Sequence, residues 1–146
     1  MKKLSIFLVL MYCVFVLPAK SPAGSLAEKK TVEIKEKFFI QQCNDVYFNF
    51  KNYKDTIIKI EGICEVLPKE FMFSYNLFRN TPGCCGDDGK IGFMFDYDGD
   101  TELKGNDWIS VTANVNVKQE NGFSLVYLDV IEVTVKAERG AEFVES

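Results

Sequence analysis

Two long alternating runs near the C-terminus constrain this chain more than any other feature. From Asp107 to Val117 and from Phe123 to Val135, apolar and polar side chains largely alternate, with Lys118-Gln119-Glu120-Asn121-Gly122 between them. A period of two puts neighbouring side chains on opposite faces of a strand. Asn-Gly between two such runs is a strong hairpin signal. The C-terminal third is therefore expected to be a long β-hairpin.

Earlier segments extend the same reading. Thr56 to Val66 places Ile58, Ile60, Gly62, Cys64 and Val66 on one face and Lys59, Glu61 and Glu65 on the other. Gly62, inside this strand, marks a bulge or the sharp coil at a barrel corner. Phe71–Phe78 and Ile91–Tyr97 supply two further strands, and Thr31–Lys37 a short half-exposed one. Phe39, Ile40, Cys43, Val46 and Tyr47 recur at three- and four-residue spacing, so 38–50 reads as a short amphipathic helix. Five strands, long first and last members and the inset glycine predict a mainly β fold: a small five-stranded OB-like barrel with a short N-terminal helix. A β-sandwich would need more, shorter strands and more turn signals.

Lys2 and Lys3 precede an apolar stretch from Leu4 to Leu17, too short for a comfortable membrane span. This is the pattern of a secretory signal peptide, with Ser25-Leu26-Ala27 as the expected cleavage site. Tyr12 disfavours lipidation at Cys13; an uncleaved anchor is the stronger alternative. The expected organisation is a signal at 1–27, an N-terminal extension with a short strand at 28–37, the barrel at 38–138 and a tail at 139–146. The expected location is periplasmic or extracellular, membrane-anchored if the signal stays on. A net charge of -4 and a pI near 4.9 argue against a nucleic-acid partner, which needs clustered Lys and Arg.

The candidate site is the adjacent pair Cys84-Cys85, between Gly83 and Gly86 and followed by Asp87 and Asp88. It falls in the connection between the second and third barrel strands. With Cys43 and Cys64 the mature chain holds four thiols, which allow three disulfide pairings. Cys43, on the apolar helix face, is expected to be a small buried hydrophobe.

The ordered set Tyr53-Lys54-Asp55, Ile60-Glu61-Gly62, Phe73, Leu77 and Arg79, Cys84-Cys85-Gly86-Asp87-Asp88, Ile91-Gly92-Phe93 and Asp107-Trp108-Ile109-Ser110-Val111-Thr112 carries a resemblance. It resembles the exported C-terminal domain of two-component membrane permease accessory subunits, over Phe38 to about Val135. Those proteins carry several membrane helices ahead of the domain, where this chain has its signal. Asp55 stands where the family prefers Gly-Lys, and Ala113 where it prefers Gly. The resemblance implies a binding site of Arg79, Cys84, Cys85, Asp88 and Trp108, and a membrane permease subunit or small ligand as partner.

Other chemistries are weighed against that expectation. Cys84, Cys85, Asp87 and Asp88 offer sulfur and carboxylate ligands for zinc, but adjacent cysteines lack the Cys-x-x-Cys spacing that lets two sulfurs converge. Arg79 would lower a nearby thiol pKa while Asp87 and Asp88 would raise it, which disfavours thiol catalysis. Zero histidines exclude Ser-His, Cys-His and HExxH machinery. The acidic run 96–102 lacks the glycine and bidentate glutamate of an EF-hand, and reads as a solvated turn. Trp108 is either a stacking platform or, preferably, a core residue opening a strand. The expectation is a non-enzymatic, cofactor-free binding domain, with exported thiol-redox or zinc handling as the alternative.

Overall fold

The computed structural model describes residues 29–83 and 89–145. In chain order these form β1 (Lys30–Glu33), a 3₁₀ turn (Glu36–Phe38), α1 (Phe39–Phe48), a second 3₁₀ turn (Phe50–Tyr53), β2 (Thr56–Val66), β3 (Tyr75–Thr81), β4 (Gly89–Phe95), β5 (Trp108–Glu120) and β6 (Phe123–Val135). One sheet runs β1-β2-β3-β4-β6-β5, and β5 pairs back onto β2. The sheet therefore closes on itself. Strands β2 to β6 make the expected five-stranded OB-like barrel, and β1 is a sixth strand lying parallel against the start of β2.

Closure depends on β2 serving two neighbours. It pairs with β5 from Ile57–Asn114 to Ile63–Trp108, and with β3 from Ile63–Phe78 to Val66–Tyr75. Gly62 stands at the handover and is a corner rather than a bulge, since its pairing with β5 is unbroken. Ile58, Ile60 and Cys64 enter the core as the alternation predicts, but Val66 is exposed. Ile63, nominally outward, is buried with Phe78 and Trp108, because the strand turns there and both neighbours cover it.

The hairpin matches its sequence signal closely. Glu120 pairs with Phe123 around Asn121 and Gly122, whose φ angles of 49° and 83° are those of a two-residue turn with both central residues left-handed. The second barrel strand is displaced from its expected 71–78. Phe71 N–H bonds the Pro68 carbonyl at 3.0 Å, and the Ser74 N–H and hydroxyl both donate to Asp96, so 68–74 folds as a connection. At its far end β3 gains a partner no local pattern announces: Asn80 N–H bonds Glu142 O, and Val144 N–H bonds Asn80 O, each at 2.8 Å. β1 stops at Glu33 rather than Lys37, as the chain bends into the 3₁₀ turn and the Gln42 side chain accepts from Lys35 N–H at 2.8 Å.

Strands β4 and β6 share only the Phe95–Leu128 pair, and α1 packs beside that thin seam. Phe39, Cys43 and Val46 face the core, as their spacing predicts. Tyr47 stacks on Phe93 with ring centres 4.8 Å apart and donates its hydroxyl to the Gly92 carbonyl. A Cβ on Gly92 would fall on the Leu77 carbonyl oxygen of β3. Gly92→Ala is therefore expected to cost about 3 kcal/mol, the upper range for overpacking. Thermal or denaturant unfolding checks this; an unchanged midpoint would contradict the close approach.

Candidate site around Arg79 and Trp108

Arg79 is inward-pointing on β3 and only 3 % exposed. A buried guanidinium is stable only where acceptors and counter-charge replace water. Its Nε donates to Glu61 O of β2 at 2.9 Å. Its Nη1 donates to Glu36 Oε2 at 2.9 Å and to Ala141 O at 3.0 Å. The guanidinium carbon lies 4.7 Å from the Phe39 ring centre and 4.8 Å from that of Trp108, so one cation is held between two aromatic rings. Four segments distant in sequence, at Glu36–Phe39, Glu61, Trp108 and Ala141, meet on one side chain.

The C-terminal tail completes this arrangement. Ala141 N–H donates to the same Glu36 oxygen at 2.9 Å. Gly140 lies so close that a Cβ would meet Glu36 Oε2 at 2.9 Å and the Trp108 ring at 3.0 Å. Arg139 sits 5.5 Å from the Trp108 ring centre and is anchored by Asn106 and Glu142. The Trp108 indole N–H, buried with its ring, has no hydrogen-bond partner among the described residues.

Outside this clamp opens a cavity of about 490 Å³, bounded by Glu33, Ile34, Lys35, Glu36, Lys59, Glu61, Arg79, Lys136 and Gly140. Lys136 and Glu61 pair across it at 2.8 Å. Burial pushes the Glu61 carboxyl up, but the Lys136 hydrogen bond and charge outweigh it, and the carboxyl sits below its ordinary value. A second polar cavity of about 230 Å³ shares Lys59, Glu61 and Lys136 and continues over Ser110, Thr112, Glu132 and Thr134 on the outer faces of β5 and β6. The mixed charges suit recognition of a polar or ionic group.

Of the residues expected at the site, Arg79 and Trp108 are brought into contact and enclosed together. Cys84, Cys85, Asp87 and Asp88 lie outside the described residues, in the connection from Gly83 to Gly89, which begins just beyond the end of β3. Cys43 and Cys64 are buried free thiols. Desolvation pushes Cys43 up to about 12 and Cys64 up to about 11, the latter helped by the Asp107 and Glu65 charges. Among the described residues, no group of three or more metal-ligating side chains occurs. Glu36, Phe39, Glu61, Gly140 and Ala141 were not legible as partners of Arg79. A buried arginine needs a carboxylate, but sequence offers 21 acidic residues and no means of choosing one.

The family model of the DUF1980 C-terminal domain matches residues 19–143. The chain belongs to that family. The DUF1980 match takes in the described fold, including β1, the barrel and the tail that closes over Arg79. No curated protein and no solved structure matches the chain significantly.

Arg79→Met is expected to lower stability by about 3 kcal/mol, since it takes the donor from the Glu61 and Ala141 carbonyls and the cation from between two rings. Glu36→Gln should cost under about 1 kcal/mol, because that side chain is 52 % exposed and its ion pair is screened. The Ala141 N–H bond, then the Arg79 bond, hold the folded Glu36 carboxyl below its ordinary value of 4.5. A lowered folded pKa stabilises above the unfolded value and is lost as pH falls through the folded one. Unfolding midpoints of wild type and Glu36→Gln should thus differ at neutral pH and converge in acid; a constant gap would contradict the ion pair. In a separate test, native Cys43 and Cys64 should resist alkylation at mildly alkaline pH and react on unfolding, as peptide mapping would show.

Proposed function

We propose that the chain is an exported, non-enzymatic binding domain, accessory to an envelope transport system. Its contact site is the charged cavity outside Arg79, with Cys84, Cys85 and Asp88, a few residues further along the chain, as candidate contacts. The observation that carries this reading is the location of the cavity. Its inner wall is the Arg79 clamp, where the 3₁₀ turn, α1, β2, β5 and the tail converge, so the charged rim rests on packed and hydrogen-bonded elements. Binding groups held by packed elements recognise partners at lower ordering cost than groups on free loops.

The amino-terminal sequence supports export, and the absence of histidine supports a binding role over acid–base or nucleophilic hydrolysis. A transport subunit is the partner class suggested by the ordered Arg79, Cys84-Cys85 and Trp108 pattern. Arg79 then acts as a supporting residue behind the contact surface, and Lys35, Lys59 and Lys136 supply the reachable cations.

Two measurements test this. Affinity capture from envelope membranes is expected to return an integral membrane transport subunit with the wild type and much less with Lys59→Glu, whose side chain is solvent-facing on β2. Equal recovery with both, or no membrane protein with either, overturns the assignment. Intact mass with and without reductant, together with elemental analysis, is expected to show metal-free protein. Stoichiometric zinc lost on Cys84→Ser or Cys85→Ser would move the assignment to metal handling.

A further inference from the structure

We infer that the second polar cavity, on the outer faces of β2, β5 and β6, binds a small zwitterion, a molecule with a carboxylate at one end and an ammonium at the other. Strand register sets its floor and its walls. Lys59 of β2 lies opposite Thr112 of β5, and Thr112 lies opposite Glu132 of β6, so these three make one row across the sheet. Glu61, Ser110 and Thr134 make the next row through the same two seams. Lys136 stands beyond Thr134, where its backbone N–H bonds the Trp108 carbonyl at 2.8 Å. Together these residues enclose the cavity of about 230 Å³.

A β-bulge makes the arrangement possible. Ile131 is left without a partner between Val130, opposite Ala113, and Glu132, opposite Thr112. It switches the phase of β6: Val126 and Leu128 are buried before it and Val133 after it, which puts Glu132 and Thr134 on the outer face. Bulges re-aim side chains in this way beside binding sites. On the middle strand Ser110 and Thr112 carry short hydroxyl side chains, and Ser110 is only 9 % exposed. Longer charged side chains rise on both flanks, and that difference in reach forms a trough.

Each flank carries both signs of charge: Lys59 and Glu61 on β2, Glu132 on β6 and Lys136 just past its end. Glu61 and Lys136 are joined to each other at 2.8 Å. The ion pairs among the described residues include neither Lys59 nor Glu132. Their strands lie two spacings apart, about 10 Å. A zwitterion laid over Thr112 sets its carboxylate against Lys59 and its ammonium against Glu132, with the floor hydroxyls as further partners. A dicarboxylate would bring one end against Glu132, and Glu33 opposite Lys59 and Asp129 further along β6 add to that repulsion. A diamine would bring one end against Lys59. The volume equals that of about eight waters at ~30 Å³ each, which suits one small molecule rather than a peptide. Ser110, Thr112, Glu132 and Thr134 do not border the Arg79 cavity, so the inference does not rest on the transport partner, and a Glu132 variant tests it separately.

Isothermal titration of the full chain with three probes of similar length tests it: γ-aminobutyrate, glutarate and putrescine. The first is expected to bind with a Kd of about 1 mM, in keeping with so few contacts, and the other two roughly tenfold more weakly. Glu132→Lys, at an exposed position, should keep the circular dichroism spectrum, lose γ-aminobutyrate and gain glutarate. Combining Lys59→Glu with Glu132→Lys keeps one charge of each sign across Thr112 and should restore γ-aminobutyrate. Equal affinity for the three probes, preference of the wild type for glutarate or putrescine, or no binding of γ-aminobutyrate overturns the inference. So does a Glu132→Lys protein whose selectivity is unchanged.

Discussion

A guanidinium sealed inside a small barrel must be neutralised, hydrogen-bonded and packed, and Arg79 meets those demands with groups from one end of the chain to the other. Glu36 supplies the charge, Glu61 and Ala141 the carbonyls, and Phe39 and Trp108 the two flanking rings. Each contact is modest alone, since Glu36 is half in solvent and cation–π attraction contributes about 2 kcal/mol at best. Their joint effect is larger, because removing the cation takes away three hydrogen bonds and two ring contacts at once. The tail and the amino-terminal 3₁₀ turn meet on this side chain, and the tail is further held by its backbone pairing with Asn80 and by buried Val144.

The barrel around it is closed by unequal seams. β5 and β6 pair along twelve positions, whereas β4 and β6 share a single pair. The thin seam is made good by α1, whose Tyr47 hydroxyl meets the Gly92 carbonyl and whose Phe39 and Cys43 fill the interior. Phe39 therefore belongs to both assemblies: one side of its environment is the core, and its ring also covers Arg79. Helix placement and the arginine clamp stabilise each other through that residue. The charged cavity lies outside this junction.

Much of the β architecture was legible because its causes are local. Alternation in Thr56–Val66 and Phe123–Val135 located both strands to the residue, since each has one face toward the core and one toward solvent. Asn121-Gly122 specified its turn through the backbone angles those residues tolerate. β3 was displaced because its apolar start, Phe71 to Phe73, packs as a folded connection held through Ser74 and Asp96, and its polar end, Asn80, is paired by the tail. Both are long-range bonds. The candidate site divides in the same way: Arg79 and Trp108 could be singled out, but whether they faced water or each other could not.

By itself the sequence determined the class of fold, the long hairpin, the amphipathic face of α1 and the acidic balance of the whole chain, because spacing and composition act over a few residues or over all of them equally. Only the tertiary structure decided that Glu36, Phe39, Glu61, Trp108 and Ala141 converge on Arg79. Barrel closure sets that outcome: strand register and stagger bring positions dozens of residues apart to one place, and no local pattern encodes which positions those are.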